Sequence, residues 1–126
     1  MKTAVIIGAT SGIGRAVAER LLEDGWRVGV AGRRADALAE ITSRYGSAVA
    51  EVLDITADDA AQRLDALLQA CGAPDLFLHV SGVGLQNPQM DEEKELRVIR
   101  TNCDGMVRIV SHFINLNGET IWLIHD

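Results

Sequence analysis

The chain has few of the residues that mark a secreted, disulfide-linked or membrane-spanning protein. Its 126 residues include two cysteines, two prolines and one tyrosine, and aromatic residues make up only 4%. Cys71 and Cys103 are too few for a disulfide framework, so we expect small, reduced and buried thiols, not nucleophiles. No apolar run is long enough to cross a bilayer or to serve as a signal-peptide core. We therefore expect a cytoplasmic protein with no membrane partner.

Positive charge is also scarce, and this limits the expected partners. Twelve lysine and arginine residues face eighteen acidic ones, for a net charge of -6. A nucleic-acid surface is normally basic, so no nucleic-acid partner is expected. His79 and the His125-Asp126 pair lie far apart in sequence without a third ligand at a recognisable spacing, so no metal site is expected. The length predicts a single domain over residues 1–126.

A glycine-rich turn follows the first apolar run, and it is the most informative segment present. The run Ala4-Val5-Ile6-Ile7 leads directly into Gly8-Ala9-Thr10-Ser11-Gly12-Ile13-Gly14. This pattern predicts a strand, a turn and a helix start, which hold a dinucleotide pyrophosphate on free N–H groups. Glycine permits the sharp turn, the approach of backbone to phosphate, and close helix packing. The predicted cofactor contacts here are Gly8, Thr10, Ser11, Gly12, Ile13 and Gly14.

The remaining sequence alternates between strand and helix patterns. Strands are predicted over residues 3–8, 26–31, 47–53, 75–81 and 119–124. Helices are predicted over residues 12–24, 35–45, 57–70 and about 91–114. Ile13, Val17, Leu21 and Leu22 are predicted to form the buried face of the first helix, and Thr56 to cap the third. The alternation indicates an α/β fold with a doubly wound, Rossmann-type parallel sheet of order 3-2-1-4-5, truncated after strand five.

Two arginines follow the second predicted strand. Many dinucleotide sites carry an acidic residue at this point, which binds the 2′-hydroxyl of the ribose. Arg33 and Arg34 stand there instead, and a guanidinium offers bidentate donors to a phosphate. The pair therefore favours NADP, with its 2′-phosphate, over NAD. The alternative is a solvated arginine pair at the start of a helix.

Two further segments follow the third and fourth predicted strands. Asp54 can face the adenine amino group while Ile55 packs on the ring, or Asp54 can cap the next helix. Ser81 and Gly82 lie beside the switch point of the sheet, where glycine lets the backbone approach the nicotinamide ribose. The alternative for Ser81 and Gly82 is an ordinary loop.

Taken together, these residues resemble the short-chain dehydrogenase/reductase family over residues 2 to about 115. The family motif Thr-Gly-x-x-x-Gly-x-Gly aligns with the glycine turn, with Ile7 in place of the threonine. The family's acidic residue before the third helix is matched by Asp54, and its NADP-preferring members have arginine where Arg33 or Arg34 stands. Of the family's Asn-Asn-Ala-Gly segment only the glycine remains, in His79-Val80-Ser81-Gly82. The resemblance implies NADP and hydride transfer with a small carbonyl or alcohol substrate.

The family also has an asparagine in the middle of its fourth helix, and Asn102 matches it. The resemblance implies that Asn102 locally opens the helix and holds a water of the catalytic proton relay. Asparagine is otherwise a poor residue inside a helix, because its side chain competes for backbone hydrogen bonds. The alternative is a surface-facing side chain that the helix tolerates.

The acid/base pair of the family, Tyr-x-x-x-Lys, does not occur in this sequence. Tyr45 is followed four residues later by Val49, and the lysines are Lys2 and Lys94. We expect a truncated or frameshifted product with an atypical tail over residues 116–126. The chain is then the NADP-binding half of an oxidoreductase or, alternatively, a non-catalytic NADP-sensing or interaction module. A methyl-transfer domain is disfavoured, since that class prefers an acidic residue where Arg33 stands.

The long predicted helix over residues 91–114 has more apolar residues than one narrow buried stripe needs. We therefore expect a homo-oligomer, a dimer or larger, that buries this helix between subunits. The apolar residues are Val98, Ile99, Cys103, Met106, Val107, Val110, Phe113 and Ile114.

Overall fold

A computed structural model describes residues 1–80, 89, 91–116 and 121–123, and the structural statements below concern these residues. The strands are β1 (Thr3–Ile7), β2 (Arg27–Gly32), β3 (Ala48–Val52), β4 (Leu76–His79) and β5 (Ile121–Leu123). The helices are α1 (Gly12–Glu23), α2 (Ala35–Arg44), α3 (Ala60–Cys71), α4 (Glu92–Ile99) and α5 (Met106–Leu116). A π-helical segment, Arg100–Gly105, joins α4 to α5.

The strands form one parallel sheet in the order β3-β2-β1-β4-β5. This order confirms the doubly wound topology predicted from the sequence. β1 lies at the centre of the sheet and is buried along its whole length, as expected of a parallel strand covered on both faces. Val5 and Ile7 pack with α3 and α5, whereas Ile6 packs with α1 and α2 on the opposite face. The carboxyl ends of the strands therefore meet at a single edge between two helical layers.

Helix α3 begins three residues later than predicted, and the predicted cap at Thr56 is wrong. The residue that precedes the helix is Asp59. The backbone N–H of Ala57 donates to the Asp54 carbonyl at 3.0 Å, and that of Ala60 donates to the Ala57 carbonyl at 3.2 Å. These successive turns occupy the backbone groups that an earlier helix would need.

The predicted long helix is two α-helices separated by the π-helical segment. α4 starts after Asp91, whose Oδ1 accepts a hydrogen bond from the Glu93 N–H at 2.9 Å. α5 is held to the sheet by Phe113, which stacks on Phe77 with ring centroids 4.1 Å apart. His112 Nε2 also lies 2.6 Å from Asp65 Oδ1 on α3. No helix in the described ranges is both long and apolar enough to cross a membrane.

Candidate dinucleotide-binding site

The glycine turn is shaped by backbone contacts that only glycine permits. Gly8 has φ 94° and Gly12 has φ 59°, both in the left-handed region that disfavours residues with a Cβ. A Cβ on Gly14 would overlap the carbonyl oxygen of Gly8. The N–H groups of Gly8 and Ala9 both donate to the carbonyl of Ala31, at 2.9 and 3.0 Å. The turn is therefore fixed to the end of β2.

The N-terminus of α1 is available to an anion at this edge of the sheet. Ser11 precedes the helix in an extended conformation and its side chain makes no capping hydrogen bond. Ser11 and Gly12 are exposed. Uncapped N–H groups and the positive end of the helix dipole together favour a bound phosphate. This is the chemistry predicted for the turn from the sequence.

Ile13 was predicted on the buried face of α1, and this is wrong. Its side chain is 46% exposed, whereas the buried residues of α1 are Gly14, Ala18 and Leu22. The close approach of Gly14 to the turn directs the preceding residue outward. Ile13 therefore lies beside the open helix N-terminus, where its role as a cofactor contact stays a prediction.

Thr10 connects the glycine turn to the end of β2. A Cβ on Gly32 would lie 2.5 Å from Thr10 Cγ2, so Gly32 makes room for the threonine side chain. Gly32 is not among the site residues predicted from the sequence. Its position in Ala31-Gly32-Arg33-Arg34, directly before the arginines, was the available signal.

The structure separates the two arginines that follow β2. Arg34 stands at the N-cap position of α2, and its Nη2 pairs with Asp36 Oδ2 at 3.2 Å. The hydrogen bond from Arg34, the Ala37 N–H and the Arg34 charge lower the pKa of the Asp36 carboxyl. Arg33 instead lines a polar cavity of about 290 Å³. The alternative interpretation, a solvated arginine at a helix start, thus describes Arg34 better than Arg33.

Asp54 lines the same cavity and stabilises a turn, but it does not cap α3. Its Oδ1 accepts hydrogen bonds from the backbone N–H and the hydroxyl of Thr56, at 2.9 and 2.7 Å. Burial acts to raise the pKa of Asp54, but the Thr56 hydrogen bonds and the charges of Arg33 and Arg108 outweigh it. The net pKa is lowered, so a carboxylate faces the cavity at neutral pH.

Ile55 is directed into the protein rather than across the cavity. Its side chain is 3% exposed, and it packs so closely under the π-helical segment that a Cβ on Gly105 would lie 2.7 Å from its Cγ1. The packing of Ile55 on an adenine ring stays a prediction, and the side chain offers little exposed surface for it.

The π-helical segment places Asn102 near its centre, half-buried. The segment is fixed against the loop between β3 and α3 by Gly105 and by Arg108, which follows on α5. Arg108 Nη1 donates to the Ala57 carbonyl at 2.8 Å and to the Ile55 carbonyl at 3.5 Å. The helix thus departs from α-geometry at the residue where the resemblance implied a local opening, while the role of Asn102 in a proton relay stays a prediction.

The remaining predicted contacts, Ser81 and Gly82, lie outside the described residues. Within the described part of the chain, no group of three or more His, Cys, Asp and Glu side chains is arranged to hold a metal ion. Cys71 is buried, whereas Cys103 is exposed, against the expectation of two buried thiols.

The fold and the turn define a Rossmann-type dinucleotide-binding domain, and comparison with known proteins identifies the family. The family model described as short chain dehydrogenase matches residues 2–119. This chain belongs to the short-chain dehydrogenase family of oxidoreductases.

Relatives and solved structures agree with this assignment. The chain is 33% identical over 117 residues to serine 3-dehydrogenase of Agrobacterium fabrum, covering 89% of this chain and 47% of that protein. It is 36% identical over 112 residues to a probable NADP-dependent dehydrogenase of Haemophilus influenzae, covering 85% and 44%. The chain thus spans about half the length of these relatives.

Among solved structures, an alcohol dehydrogenase from the archaeon Thermococcus sibiricus complexed with 5-hydroxy-NADP has a TM-score of 0.85 and 25% identity. That match covers 98% of this chain and 57% of the dehydrogenase. Actinorhodin polyketide ketoreductase with NADPH has a TM-score of 0.83 and 24% identity. That match covers 98% of this chain and 52% of the ketoreductase chain, and it shows a shared fold alone.

Proposed function

We propose that this chain binds NADP and supplies the cofactor-binding part of an oxidoreductase. The activity of the whole enzyme is hydride transfer between NADPH and a small carbonyl or alcohol substrate. One observation carries the proposal. Arg33 lines a polar cavity directly after β2, where NAD-binding sites of this fold use an acidic residue.

The residues present fit a dinucleotide. The turn between β1 and α1 has room for a pyrophosphate. Gly12 has no Cβ, and the space beside it is open, since an ideal Cβ there would meet nothing within 4 Å. The α1 N-terminus is uncapped by a side chain, which suits an anion. Arg33 supplies charge for a 2′-phosphate, and Asp54 supplies a carboxylate, with its Oδ1 already bonded to Thr56, for the adenine amino group.

Each element of the site has a defined task in the proposal. When bound, the cofactor supplies or accepts a hydride. The backbone of the turn binds and orients the pyrophosphate, while Arg33 favours the cofactor that carries a 2′-phosphate. Asn102 holds a water near the reacting end. We assign this chain cofactor binding and not proton transfer, because its sequence contains no Tyr-x-x-x-Lys.

The lack of a Tyr-x-x-x-Lys motif in this sequence also favours a second function, a non-catalytic module that senses NADP or binds a partner. Both functions require the nucleotide to bind. They differ in the outcome of one experiment. The purified chain and NADPH are mixed with a separate polypeptide that carries a Tyr-x-x-x-Lys segment, and reduction of a carbonyl compound is measured. Recovered turnover supports the oxidoreductase, and binding without turnover supports the module.

The first test is calorimetric titration of the chain with NADPH and, separately, with NADH. We expect NADPH to bind at least about tenfold more tightly, since a hydrogen-bonded charged group contributes roughly 1.5–3 kcal/mol. The variant Arg33→Ala is expected to remove this preference. Arg20→Ala, which changes an exposed arginine of α1 paired with Asp24, is the matched control and should retain it. Equal affinity for the two cofactors in the unmodified chain would contradict the proposal, as would a lack of binding.

A further inference from the structure

The cavity beside Arg33 has a second wall that comes from a different part of the chain. Arg33, Asp54 and Thr56 form the wall that follows β2 and β3. The other lining residues are Arg97 from α4 and Arg100 and Thr101 from the π-helical segment. Three guanidinium groups therefore share one cavity with a single carboxylate, in a chain whose net charge is -6.

We propose that Arg97 and Arg100 form the outer wall of the site for the adenosine 2′-phosphate and help to select NADP over NAD. The inference deepens the proposed function and rests on it. It assigns a binding role to α4 and the first turn of the π-helical segment. Neither arginine is among the cofactor contacts predicted from the sequence.

The charge distribution around the cavity supports an anionic occupant. Within the described residues, neither Arg33 nor Arg97 has an ion-pair partner, and both are exposed. Like charges that line one cavity repel each other, and a bound phosphate removes that repulsion. Guanidinium groups bind phosphate oxygens in a bidentate way. The Thr101 hydroxyl can add a neutral donor, whereas the Thr56 hydroxyl already donates to Asp54 Oδ1.

Arg100 has a competing partner, and that partner makes the inference testable. Arg100 Nη2 pairs with Glu93 Oε1 at 2.7 Å on the exposed side of α4. Glu93 neutralises part of the Arg100 charge and would repel a phosphate in the cavity. Removing either residue breaks the same ion pair. The two changes should nevertheless alter phosphate binding in opposite directions.

The experiment uses the full chain and two nucleotides that differ only in the 2′-phosphate, namely 2′,5′-ADP and 5′-AMP. Calorimetry gives the affinity ratio for each variant. We expect Arg97→Gln and Arg100→Gln to lower the affinity for 2′,5′-ADP about five- to twentyfold and that for 5′-AMP less than about twofold. Glu93→Gln should raise the affinity for 2′,5′-ADP about two- to fivefold. Arg20→Gln is the matched control, and thermal melting verifies that every variant is folded.

The possible outcomes separate this inference from the proposed function. If Arg33→Gln alone removes the preference for 2′,5′-ADP, the proposed function stands and the role of Arg97 and Arg100 is overturned. Equal losses for both nucleotides, or the same direction of change in Glu93→Gln and Arg100→Gln, would reveal a structural ion pair and also overturn it. If the unmodified chain binds neither nucleotide, or both equally, the proposed function itself fails.

Discussion

At the scale of single residues, the site depends on glycines that serve different purposes. Gly8 and Gly12 provide left-handed backbone, whereas Gly14 provides space for the Gly8 carbonyl. Gly32 provides space for the Thr10 side chain. The first two roles concern the path of the turn, and the last two concern the distance between neighbouring elements. Substitutions at Gly8 or Gly12 should therefore disturb the path of the turn. Substitutions at Gly14 or Gly32 should instead push neighbouring elements apart.

Gly14→Ala is expected to destabilise the fold and to abolish nucleotide binding. The added Cβ would overlap the Gly8 carbonyl, so α1 has to move away from β1, at a cost of about 1–3 kcal/mol or more. Gly46→Ala is the matched control, because a Cβ there meets nothing within 4 Å. Urea unfolding measures both variants. Equal stability of the two would show that the close approach at Gly14 is absent.

Individual residues also show why part of the site could be predicted from the sequence and part could not. The glycine turn was evident because its signal is local: an apolar run followed by glycines at fixed spacing. Arg97 and Arg100 gave no such signal, because only the tertiary packing of α4 brings them to the cavity that Arg33 lines. Ile13 was misassigned because helical periodicity does not register the close packing of Gly14 against the turn.

At the scale of elements, the contact between α5 and the loop that follows β3 organises the edge of the site. Arg108 donates to two carbonyls of this loop, and Gly105 lies directly over Ile55. The π-helical segment and the turn at Asp54 are therefore held together by the Arg108 hydrogen bonds and by the contact of Gly105 with Ile55. The sheet order followed from the alternation of patterns. The later start of α3 and the π-helical winding did not, because side-chain and tertiary contacts determine both.

Arg108→Met is expected to loosen the loop around Asp54 while α5 remains folded. The variant keeps an apolar stem of similar length but removes the donor to the Ala57 carbonyl, which should cost about 1–2 kcal/mol. Hydrogen exchange should become faster in residues 54–59. Arg63→Met, which removes exposed ion pairs to Glu51 and Asp59, should cost less than about 1 kcal/mol. Unchanged exchange in the loop of the Arg108 variant would contradict this role.

At the scale of the whole molecule, α5 leaves apolar side chains uncovered. Ile109 and Phe113 are buried against the sheet, whereas Val107 is 55% and Ile114 is 50% exposed. Exposed apolar side chains on one helix are a feature of surfaces that associate. The expected homo-oligomer through residues 91–114 remains a proposal, and this exposure supports it.

Light scattering at high micromolar concentration should detect a dimer or a larger assembly. The double variant Val107→Asp, Ile114→Asp should be monomeric, because two charges would have to be buried in the interface. Val52→Asp introduces a charge at an exposed apolar residue of β3 and should leave the assembly intact. A monomeric unmodified chain would contradict the expectation.

The shared carbonyl of Ala31 has a consequence for how ligand binding and folding are coupled. Two N–H groups of the glycine turn depend on one oxygen of β2, so a peptide containing only β1 and α1 would lack the anchor that shapes its turn. A nucleotide that binds this turn must therefore also favour the pairing of β1 with β2. By mass action, each tenfold excess of nucleotide over its dissociation constant adds about 1.4 kcal/mol to the stability of the assembled sheet. The melting temperature of the chain should therefore keep rising with the ratio of nucleotide concentration to dissociation constant, even after the site is saturated.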